Sequence, residues 1–434
     1  MKAYFYTLGC KVNQYETQAM MRDWRERGHE TAVYHTGLPD IGQAVLVINS
    51  CTVTGESDRK MRQLLRRVRR DNPAAFIALC GCMPQAFPEK AAALDEADLV
   101  CGNADRRAMM AAIEEAWRAR ERRVTIPPHT AVYEPLMIED FEERTRAFVK
   151  VEDGCDRFCT YCIIPYARGR VRSRDPEDIT AELKVLAAAG YREVVLVGIN
   201  LTSYGKDNGL TLADAVDAAC GVDGIERVRL GSLEPDHMTD ALIARLAAQP
   251  KLCEQFHVAL QSGCDATLRR MNRHYDTAMF RAVCEKLRAA FPRCSLTTDV
   301  MVGFPGETDD EFAQSLGFVR EIGFSKVHVF PYSRRDGTNA AKMAGQLGNA
   351  AKTARAHGMS EMCEQVREGI LAACIGTQQE VLAETRTDDG AALGYTRGYL
   401  PCRILGDVQA GETLCVTVTA VQDDRLIAVP TATC

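Results

Sequence analysis

The sequence predicts an α/β protein of three consecutive parts: a parallel α/β domain over residues 1–125, a partial α/β barrel over 146–374 and a small all-β barrel over 375–434. Strand-like and helix-like runs alternate up to about residue 374, which is typical of parallel sheets covered by helices. After Thr377 the runs become short and β-rich and are separated by Gly and Asp, which is typical of a small barrel.

Within the N-terminal part, three strands alternate with helices. The strands are KAYFYTLGC, AVLVINSC and AFIALCGC, and the intervening helices are NQYETQAMMRDWRERG and SDRKMRQLLRRVRRDN, the second with Ser57 as its N-cap. TIPPHTAVYEPL contains prolines and no clear period, so we assign residues 126–145 as a linker. Six further strands build the barrel: AFVKVED, EVVLVGIN, ERVRLGSL, QFHVALQS, SLTTDVMVGF and KVHVFPYS.

Composition narrows the class of protein. The 434 residues are enough for two or three domains with buried cores, and no apolar run approaches the length of a membrane span. The N-terminus lacks a signal-peptide pattern, so we expect a cytoplasmic protein that does not bind a membrane. In a long chain of this kind, 18 cysteines favour metal or redox chemistry over disulfides.

Each N-terminal strand ends in a cysteine, namely Cys10, Cys51 and Cys82. Because the carboxyl ends of parallel strands meet at one edge of a sheet, three thiols can converge there and form a metal site. Cys80 and Cys101 also lie near strand ends, so the pattern alone leaves the choice of three open. Three unrelated buried thiols are the alternative.

A second set of cysteines follows the first barrel strand, in GCDRFCTYCIIPYARGRVRSR. Cys155, Cys159 and Cys162 have the spacing C-x3-C-x2-C. Thiolates are soft ligands that favour zinc or iron–sulfur clusters, and structural zinc usually takes four protein ligands. With no fourth cysteine nearby, the spacing favours an iron–sulfur cluster with one iron free to bind a small molecule.

CDRFCTYC resembles the radical S-adenosylmethionine (SAM) motif, and the whole chain resembles the methylthiotransferase family, through TLGCKVNQYET, NSCTVT, GCMPQ, GINLTSYG, LQSGCDATLRRM and DVMVGFPGET. The resemblance implies a central radical SAM barrel, a C-terminal TRAM domain and two 4Fe–4S clusters. Cys155, Cys159 and Cys162 would hold the cluster that binds SAM. The auxiliary cluster would fall to Cys10, Cys51 and Cys82, in preference to Cys80 and Cys101.

Cofactor contacts follow from the same resemblance and from position. Tyr161 would pack near the adenine of SAM. Asn200, Gln261 and Asp299 lie at or near the ends of predicted barrel strands, where polar groups face a ligand, and we expect them to contact SAM. Loop capping is the alternative for each of these three.

The implied reaction attacks an inert C–H bond, for which the cofactor supplies a hydrogen abstractor. In the family, one SAM methylates sulfur on the auxiliary cluster and a second SAM yields the 5′-deoxyadenosyl radical. Such a reaction also needs an electron donor, such as a flavodoxin or a ferredoxin, and a source of sulfur.

The family's substrates are modified adenosines beside a tRNA anticodon or an aspartate of a ribosomal protein. TLGCKVNQYET and CTVT resemble the threonylcarbamoyladenosine branch, whereas the isopentenyladenosine branch has Gly-Cys-Gln-Met-Asn in the first motif. Methylthiolation of isopentenyladenosine or of the aspartate remains an alternative. A radical SAM enzyme with a different product, or a non-enzymatic iron–sulfur RNA-binding regulator, would fit part of the same pattern.

Basic clusters on a chain of net charge −6 favour a polyanion bound on one face. RKMRQLLRRVRR has seven cations in twelve residues, and RARERR and ARGRVRSR are also basic. We expect Arg66 and Arg69 to contact the anticodon arm of tRNA, and Arg397 and Arg403 of the C-terminal barrel to form a second RNA contact. A solvated helix face is the alternative for any one cluster.

Overall fold

The computed structural model describes residues 1–37, 40–141 and 145–432. Residues 142–144 of the predicted linker and residues 433–434 of the predicted C-terminal barrel lie outside the described residues. In the part of the chain that is described, no helix combines the length and apolar character that crossing a bilayer requires.

The N-terminal domain is a six-stranded parallel sheet in the order β2-β1-β3-β4-β5-β6. Its elements are β1 (Lys2–Thr7), α1 (Lys11–Glu26), β2 (Glu30–Val33), β3 (Val45–Ser50), α2 (Gly55–Asp71), β4 (Phe76–Gly81), α3 (Cys82–Ala86), α4 (Pro88–Ala92), β5 (Leu99–Cys101), α5 (Arg106–Ala119) and β6 (Arg123–Thr125). Strand residues alternate between two apolar layers: α1 and α5 pack on one face of the sheet and α2 packs on the other.

Two details differ from the sequence-based expectation. Strands β2, β5 and β6 were not predicted, because runs of three or four residues carry too little periodicity to be recognised. The N-cap of α2 is Thr54 and not Ser57, since the Thr54 side chain accepts a hydrogen bond from the Ser57 amide at 3.1 Å. Ser57 is therefore already inside the first helical turn.

The central domain is an open barrel of parallel strands, in which β11-β10-β7 and β12-β13-β14-β15 are joined by Gly231 between β11 and β12. Each of the six predicted strands overlaps an observed one, whereas the antiparallel pairing of β8 with β9 was not expected. The elements are β7 (Arg146–Lys150), β8 (Glu152–Asp153), α6 (Ile164–Arg168), β9 (Arg172–Ser173), α7 (Pro176–Ala188), β10 (Glu193–Val197), α8 (Leu212–Cys220), β11 (Arg227–Leu230), β12 (Ser232–Leu233), α9 (Asp240–Ala247), β13 (Gln255–Val258), α10 (Asp265–Arg270), α11 (Thr277–Ala290), β14 (Ser295–Val302), α12 (Asp309–Ile322), β15 (Lys326–Pro331) and α13 (Asn349–Ala372).

The C-terminal domain is a closed five-stranded barrel in the order β16-β17-β18-β20-β19. Its strands are β16 (Gln378–Arg386), β17 (Ala392–Thr396), β18 (Pro401–Ile404), β19 (Thr413–Gln422) and β20 (Arg425–Pro430). The sequence predicted four strand runs here and missed β17, whose sequence ALGYT contains an alanine and a glycine, residues that are depleted in strands. The all-β class of this domain is confirmed.

α1 packs against both the N-terminal sheet and the central barrel. Val12, Tyr15 and Ala19 belong to the barrel core, while Met20 and Trp24 belong to the N-terminal core. The Tyr15 hydroxyl is 2.9 Å from a carboxyl oxygen of Glu182 in α7. One amphipathic helix thereby fixes the carboxyl edge of the sheet against the barrel.

Candidate active site at the domain interface

The loop between β8 and α6 carries Cys155, Cys159 and Cys162. The Cys155 amide donates to the carbonyl of Gly169 at 3.0 Å, and the Cys162 amide donates to that of Cys159 at 2.9 Å. Thr160 donates from its amide to the carbonyl of the residue that follows α10, at 3.0 Å. These bonds hold the three cysteines in one short, fixed loop at the carboxyl end of the first barrel strand.

Two polar side chains contact the sulfurs of this loop. Arg273 donates from Nη1 to Cys159 Sγ at 3.2 Å, and its Nη2 pairs with Glu234. Asn200 Nδ2 lies 3.9 Å from Cys155 Sγ. A guanidinium and a side-chain amide therefore stand beside two of the three sulfurs.

A buried carboxyl group adjoins the same loop. Glu152 is 0% exposed, and its Oε2 accepts a hydrogen bond from the backbone N–H of Asn200 at 2.8 Å. Its other oxygen, Oε1, has no hydrogen-bond partner within the described ranges. Burial raises the pKa of Glu152 well above its ordinary value. An orphaned buried oxygen beside three thiols fits a site that takes a polar ligand.

Of the other predicted SAM contacts, Tyr161 lies in the cysteine loop itself, Gln261 follows β13 and Asp299 lies in β14. The Tyr161 ring packs edge-on against Phe304 with centroids 6.4 Å apart. Gln261 adopts a left-handed backbone, with φ of 65°, and its amide donates to the carbonyl of Asp299 at 2.9 Å. Asp299 lies within β14, and its carboxylate is 3.3 Å from His257 Nε2. The backbones of Gln261 and Asp299 are thus joined, and the Asp299 side chain has a partner of its own.

The N-terminal cysteines lie at the carboxyl edge of the parallel sheet, as their positions after three strands predict. Cys10 caps α1, Cys51 follows β3 and Cys82 begins α3 after β4. Cys10 Sγ donates to Asn13 Oδ1 at 3.3 Å. A Cβ added at Gly9 would lie 3.1 Å from the Cβ of Cys51, so the backbone that precedes Cys10 closely approaches Cys51.

Cys80 and Cys101 have a different environment. Both lie in the apolar layer between the sheet and helices α1 and α5, with exposures of 1% and 3%. Burial raises the pKa of Cys101 to about 12 and that of Cys80 further still. They are core thiols on the face of the sheet that α1 and α5 cover, which supports the choice of Cys82 as the third member of the N-terminal set.

The donor chemistry of both sets fits iron–sulfur clusters. Over residues 1–37, 40–141 and 145–432, no three Cys, His or acidic side chains converge closely enough to share a single metal ion. Three spaced thiols suit a cluster, because each cysteine ligates a different iron. Burial raises the pKa of Cys82, Cys155 and Cys162 to about 12, and iron binding displaces such thiol protons.

A buried charge network joins the two domains between these sets. Glu16 of α1 pairs with Arg106, with Arg168 and, at 3.1 Å, with Lys150 Nζ. Lys150 also lies 3.1 Å from Asp153. Burial alone would raise the pKa of Glu16, but the surrounding cations outweigh it and lower that pKa to about 2. The interface is therefore held by fully charged, mutually paired groups.

The predicted RNA-binding residues of α2 divide into two kinds. The arginines of RKMRQLLRRVRR face outward and the apolar residues face the sheet, as the helical period predicts. Arg66 has a 73% exposed side chain, 3.3 Å from Glu96. Arg69 is half-buried and donates to the carbonyls of Glu96 and Ala75 and to the carboxylate of Asp98. Arg69 thus supports the fold at the end of α2.

The C-terminal arginines divide in the same way. Arg397 donates to the carbonyls of Pro250 and Leu252, both at 2.7 Å, and so ties the small barrel to the central domain. Arg403 lies on the outside of the small barrel and pairs with Asp389. RNA contact by Arg66 and Arg403 stays a prediction, and the structure gives Arg69 and Arg397 intramolecular roles.

The basic run ARGRVRSR differs most from its sequence interpretation. Arg168, Arg172 and Arg174 are buried, with exposures of 0%, 5% and 3%, and they pair with Glu16, Asp153 and Glu182, respectively, whereas Arg170 is exposed. It is not a surface for a polyanion. A sequence run does not show which arginines have carboxylate partners from distant segments.

Three residues of the site were missed from the sequence: Glu152, Arg168 and Arg273. Glu152 and Arg168 flank the cysteine motif within a few residues on either side, which could have drawn attention to them. Arg273 lies in RRMNRHY, directly after a motif that the resemblance used. The contacts that place them in the site are long-range, with Asn200, Cys82 and Cys159, so position was the only available signal.

Comparison with known proteins shows which families and relatives the chain resembles. Residues 149–319 match the Radical SAM superfamily, and residues 2–102 match a family described as Uncharacterized protein family UPF0004. The chain is 38% identical to threonylcarbamoyladenosine tRNA methylthiotransferase MtaB of Bacillus subtilis (strain 168), over 91% of this chain and 88% of that protein. It is 37% identical to the Thermotoga maritima protein of the same name, over 97% and 95%.

A second group of relatives has another substrate in its name. The chain is 34% identical to tRNA-2-methylthio-N(6)-dimethylallyladenosine synthase of Pelotomaculum thermopropionicum, over 97% of this chain and 96% of that protein. Among solved structures, the radical SAM methyltransferase TsrM of Kitasatospora setae, with cobalamin and a [4Fe-4S] cluster bound, has a TM-score of 0.57 at 14% identity, covering 90% of this chain and 80% of that one. That likeness concerns the fold alone.

Proposed function

Because the chain belongs to the radical SAM tRNA methylthiotransferase family, we propose that it inserts a methylthio group at C2 of N6-threonylcarbamoyladenosine next to the tRNA anticodon. The observation that carries the proposal is the pair of three-cysteine sets on the two sides of one domain interface. A radical SAM enzyme without sulfur insertion needs only the set in the barrel.

The cofactors are two 4Fe–4S clusters and SAM. We assign the SAM-binding cluster to Cys155, Cys159 and Cys162, and the auxiliary cluster to Cys10, Cys51 and Cys82. When bound, these groups supply an electron, a strong hydrogen abstractor and sulfur, which ordinary side chains cannot provide for attack on an aromatic C–H bond.

The protein's own residues bind and orient SAM and the substrate adenosine. Arg273 and Asn200 stand at the sulfurs of the first set, where a cation and an amide suit the carboxylate and amino groups of SAM. The partly exposed Tyr161 ring, packed against the buried Phe304, offers an apolar surface for the adenine. The charge network around Glu16 keeps the two cysteine sets at a fixed separation, so that a substrate adenosine placed between them meets both.

The substrate branch rests on sequence similarity, since relatives named for threonylcarbamoyladenosine reach 38% identity and those named for dimethylallyladenosine reach 34%. For the remaining requirements we propose a flavodoxin or ferredoxin as electron donor and a separate sulfur source, with the reaction in the cytoplasm, where tRNA is found. The exposed arginines of α2 would meet the anticodon arm.

The cluster assignment is tested by alanine replacement of each cysteine set after anaerobic reconstitution. The wild type should bind about eight irons and each triple variant about four. Variants in the Cys155, Cys159 and Cys162 set should release no 5′-deoxyadenosine with dithionite, whereas the Cys10, Cys51 and Cys82 variant should still cleave SAM without methylthiolation. Full iron content in either triple variant would disprove that assignment.

The substrate is tested by mass spectrometry of tRNA nucleosides from a strain that lacks the gene. Loss of the methylthio group from threonylcarbamoyladenosine, restored by the wild-type gene, is the expected result. Loss from the isopentenyl nucleoside instead would assign the chain to the other branch, and normal tRNA would point to a protein substrate or to a regulatory role.

A further inference from the structure

Arg168 reaches from the radical SAM barrel into the N-terminal cysteine set. It ends α6, six residues after Cys162, and its side chain is 0% exposed. Its Nε donates a hydrogen bond to Cys82 Sγ at 3.1 Å. A residue of the central domain is therefore in direct contact with a sulfur of the other domain.

The same guanidinium also acts on a second thiol through an asparagine. Arg168 Nη2 donates to Asn13 Oδ1 at 3.2 Å, and that oxygen accepts the hydrogen bond of Cys10 Sγ at 3.3 Å. Asn13 is itself fixed by Asn49, whose Oδ1 accepts from Asn13 Nδ2 at 3.2 Å. The bond to Cys82 is donated by nitrogen and survives loss of the thiol proton, whereas the Cys10 bond is donated by the thiol itself and is lost when that sulfur binds iron.

Contacts with Glu16 and Arg172 fix the position of Arg168. Both carboxyl oxygens of Glu16 accept its guanidinium hydrogens, one of them at 3.0 Å, and Arg172 Nη2 donates to the Arg168 carbonyl at 2.8 Å. Because Glu16 is shared with Arg106 and Lys150, its negative charge is divided among three cations. Asp153 also lies 3.5 Å from the Arg168 guanidinium, and Glu134 pairs with Arg106, so the hydrogen bond to Cys82 is what distinguishes Arg168 from the other cations of the network.

We propose that Arg168 is a positioning residue that orients the Cys82 sulfur and raises the reduction potential of the auxiliary cluster. This inference rests on the proposed function, in which those cysteines hold that cluster. Hydrogen bonds to ligand sulfur and nearby positive charge both stabilise the more negative, reduced state of a cluster. Inside a buried site such interactions are screened far less than in water.

The alternative is that Arg168 only holds the two domains together. A purely structural role would change stability but would leave the potential of any bound cluster unaltered. The network offers a matched control in Arg106, which is 3% exposed and pairs with the same Glu16 and with Glu134 instead of a cysteine sulfur. Arg106→Gln removes the same charge from the same buried group.

The experiment uses the full chain with Cys155, Cys159 and Cys162 replaced by alanine, so that only the auxiliary cluster gives a signal. Iron content and circular dichroism are measured first, and the midpoint potential is then determined by a redox titration followed by electron paramagnetic resonance. Three variants are compared in this background: Arg168→Gln, Arg168→Lys and Arg106→Gln.

We expect all three variants to fold and Arg168→Gln to lower the potential. The shift should correspond to about a tenfold or larger change in the one-electron equilibrium constant, which is about 59 mV or more. Arg106→Gln should shift it clearly less, and Arg168→Lys, which keeps the charge, should recover part of the difference. Loss of iron from Arg168→Gln alone, with its fold and the Arg106→Gln cluster intact, also supports the positioning role.

An unchanged potential in Arg168→Gln, or an equal shift or equal iron loss in Arg106→Gln, would overturn the inference. A background protein without about four irons would instead contradict the cysteine assignment under the proposed function. The two failures are therefore distinguishable.

Discussion

Gly154→Ala is the sharpest test of how the fold builds the SAM-binding loop. Gly154 immediately precedes Cys155 and has a φ of 90°. A Cβ at this position would lie 1.9 Å from the carbonyl oxygen of Arg170. Real Cβ atoms essentially never come closer than 3.0 Å, so the two backbone segments must separate by at least 1.1 Å.

The cost of this substitution has two parts. A left-handed backbone costs a residue with a Cβ about 1–2 kcal/mol. Forcing extra volume into a packed site costs a further ~1–3 kcal/mol. The required movement also breaks the bond from the Cys155 amide to Gly169 and the pairing of Asp153 with Arg172 between β8 and β9. The damage is therefore concentrated on the first cysteine of the loop.

Gly190→Ala provides the control, because Gly190 has a similar φ of 98° and nothing within 4 Å of its added Cβ. The assays are iron content after reconstitution and 5′-deoxyadenosine release with dithionite. We expect Gly154→Ala to fall from about eight to about four irons and to lose SAM cleavage, while Gly190→Ala retains both. Full iron and normal cleavage in Gly154→Ala would refute the reasoning.

Three further predictions concern SAM, RNA and acid stability. Asp299→Ala should raise the SAM concentration needed for half-maximal cleavage several-fold at unchanged iron content; an unchanged SAM dependence would remove Asp299 from the site. Arg62→Glu with Arg66→Glu, both on exposed side chains of α2, should weaken tRNA binding several-fold and flatten its dependence on salt, with SAM cleavage unchanged without tRNA; wild-type affinity would mean that this face is only solvated. Glu193 is buried among Arg229, Arg227 and Arg146; burial acts to raise its pKa, but these arginines outweigh it and the net pKa is lowered. Its stabilisation is therefore present above its unfolded-state pKa and is lost as the pH falls through the lower folded-state value. Glu193→Gln should destabilise the protein by about 3 kcal/mol at pH 7 in urea unfolding, and by progressively less below about pH 4; a pH-independent difference would contradict this sign.

Much of the fold could be predicted from patterns within short stretches of the sequence. The helical period of α2 predicted its buried side, and Met61, Leu64, Leu65 and Val68 do pack against the sheet. The six barrel strands were predicted because each lies within a longer run rich in apolar and β-branched residues. The short strands β2, β5, β6 and β17 were missed, since three to five residues carry little pattern and depend on the neighbouring strands for their hydrogen bonds.

By itself, the sequence determined the fold class and the C-x3-C-x2-C set, because strand periodicity and cysteine spacing are properties of neighbouring residues. For the N-terminal set the pattern left Cys80 and Cys101 as alternatives, and the burial of those two thiols in the apolar layer supports Cys82 as the third member. The sequence also located the loop that Asn200 and Tyr161 adjoin. The tertiary structure alone decided what the arginines do. Arg66 and Arg69 are three residues apart, yet one is exposed and the other is bound to carbonyls and a carboxylate from elsewhere in the chain. Arg168, from a run that looked like a surface for RNA, is buried against Cys82. A guanidinium is stable inside a protein only where carboxylates and other acceptors surround it, and those partners come from segments more than a hundred residues away, which only the folded chain brings together.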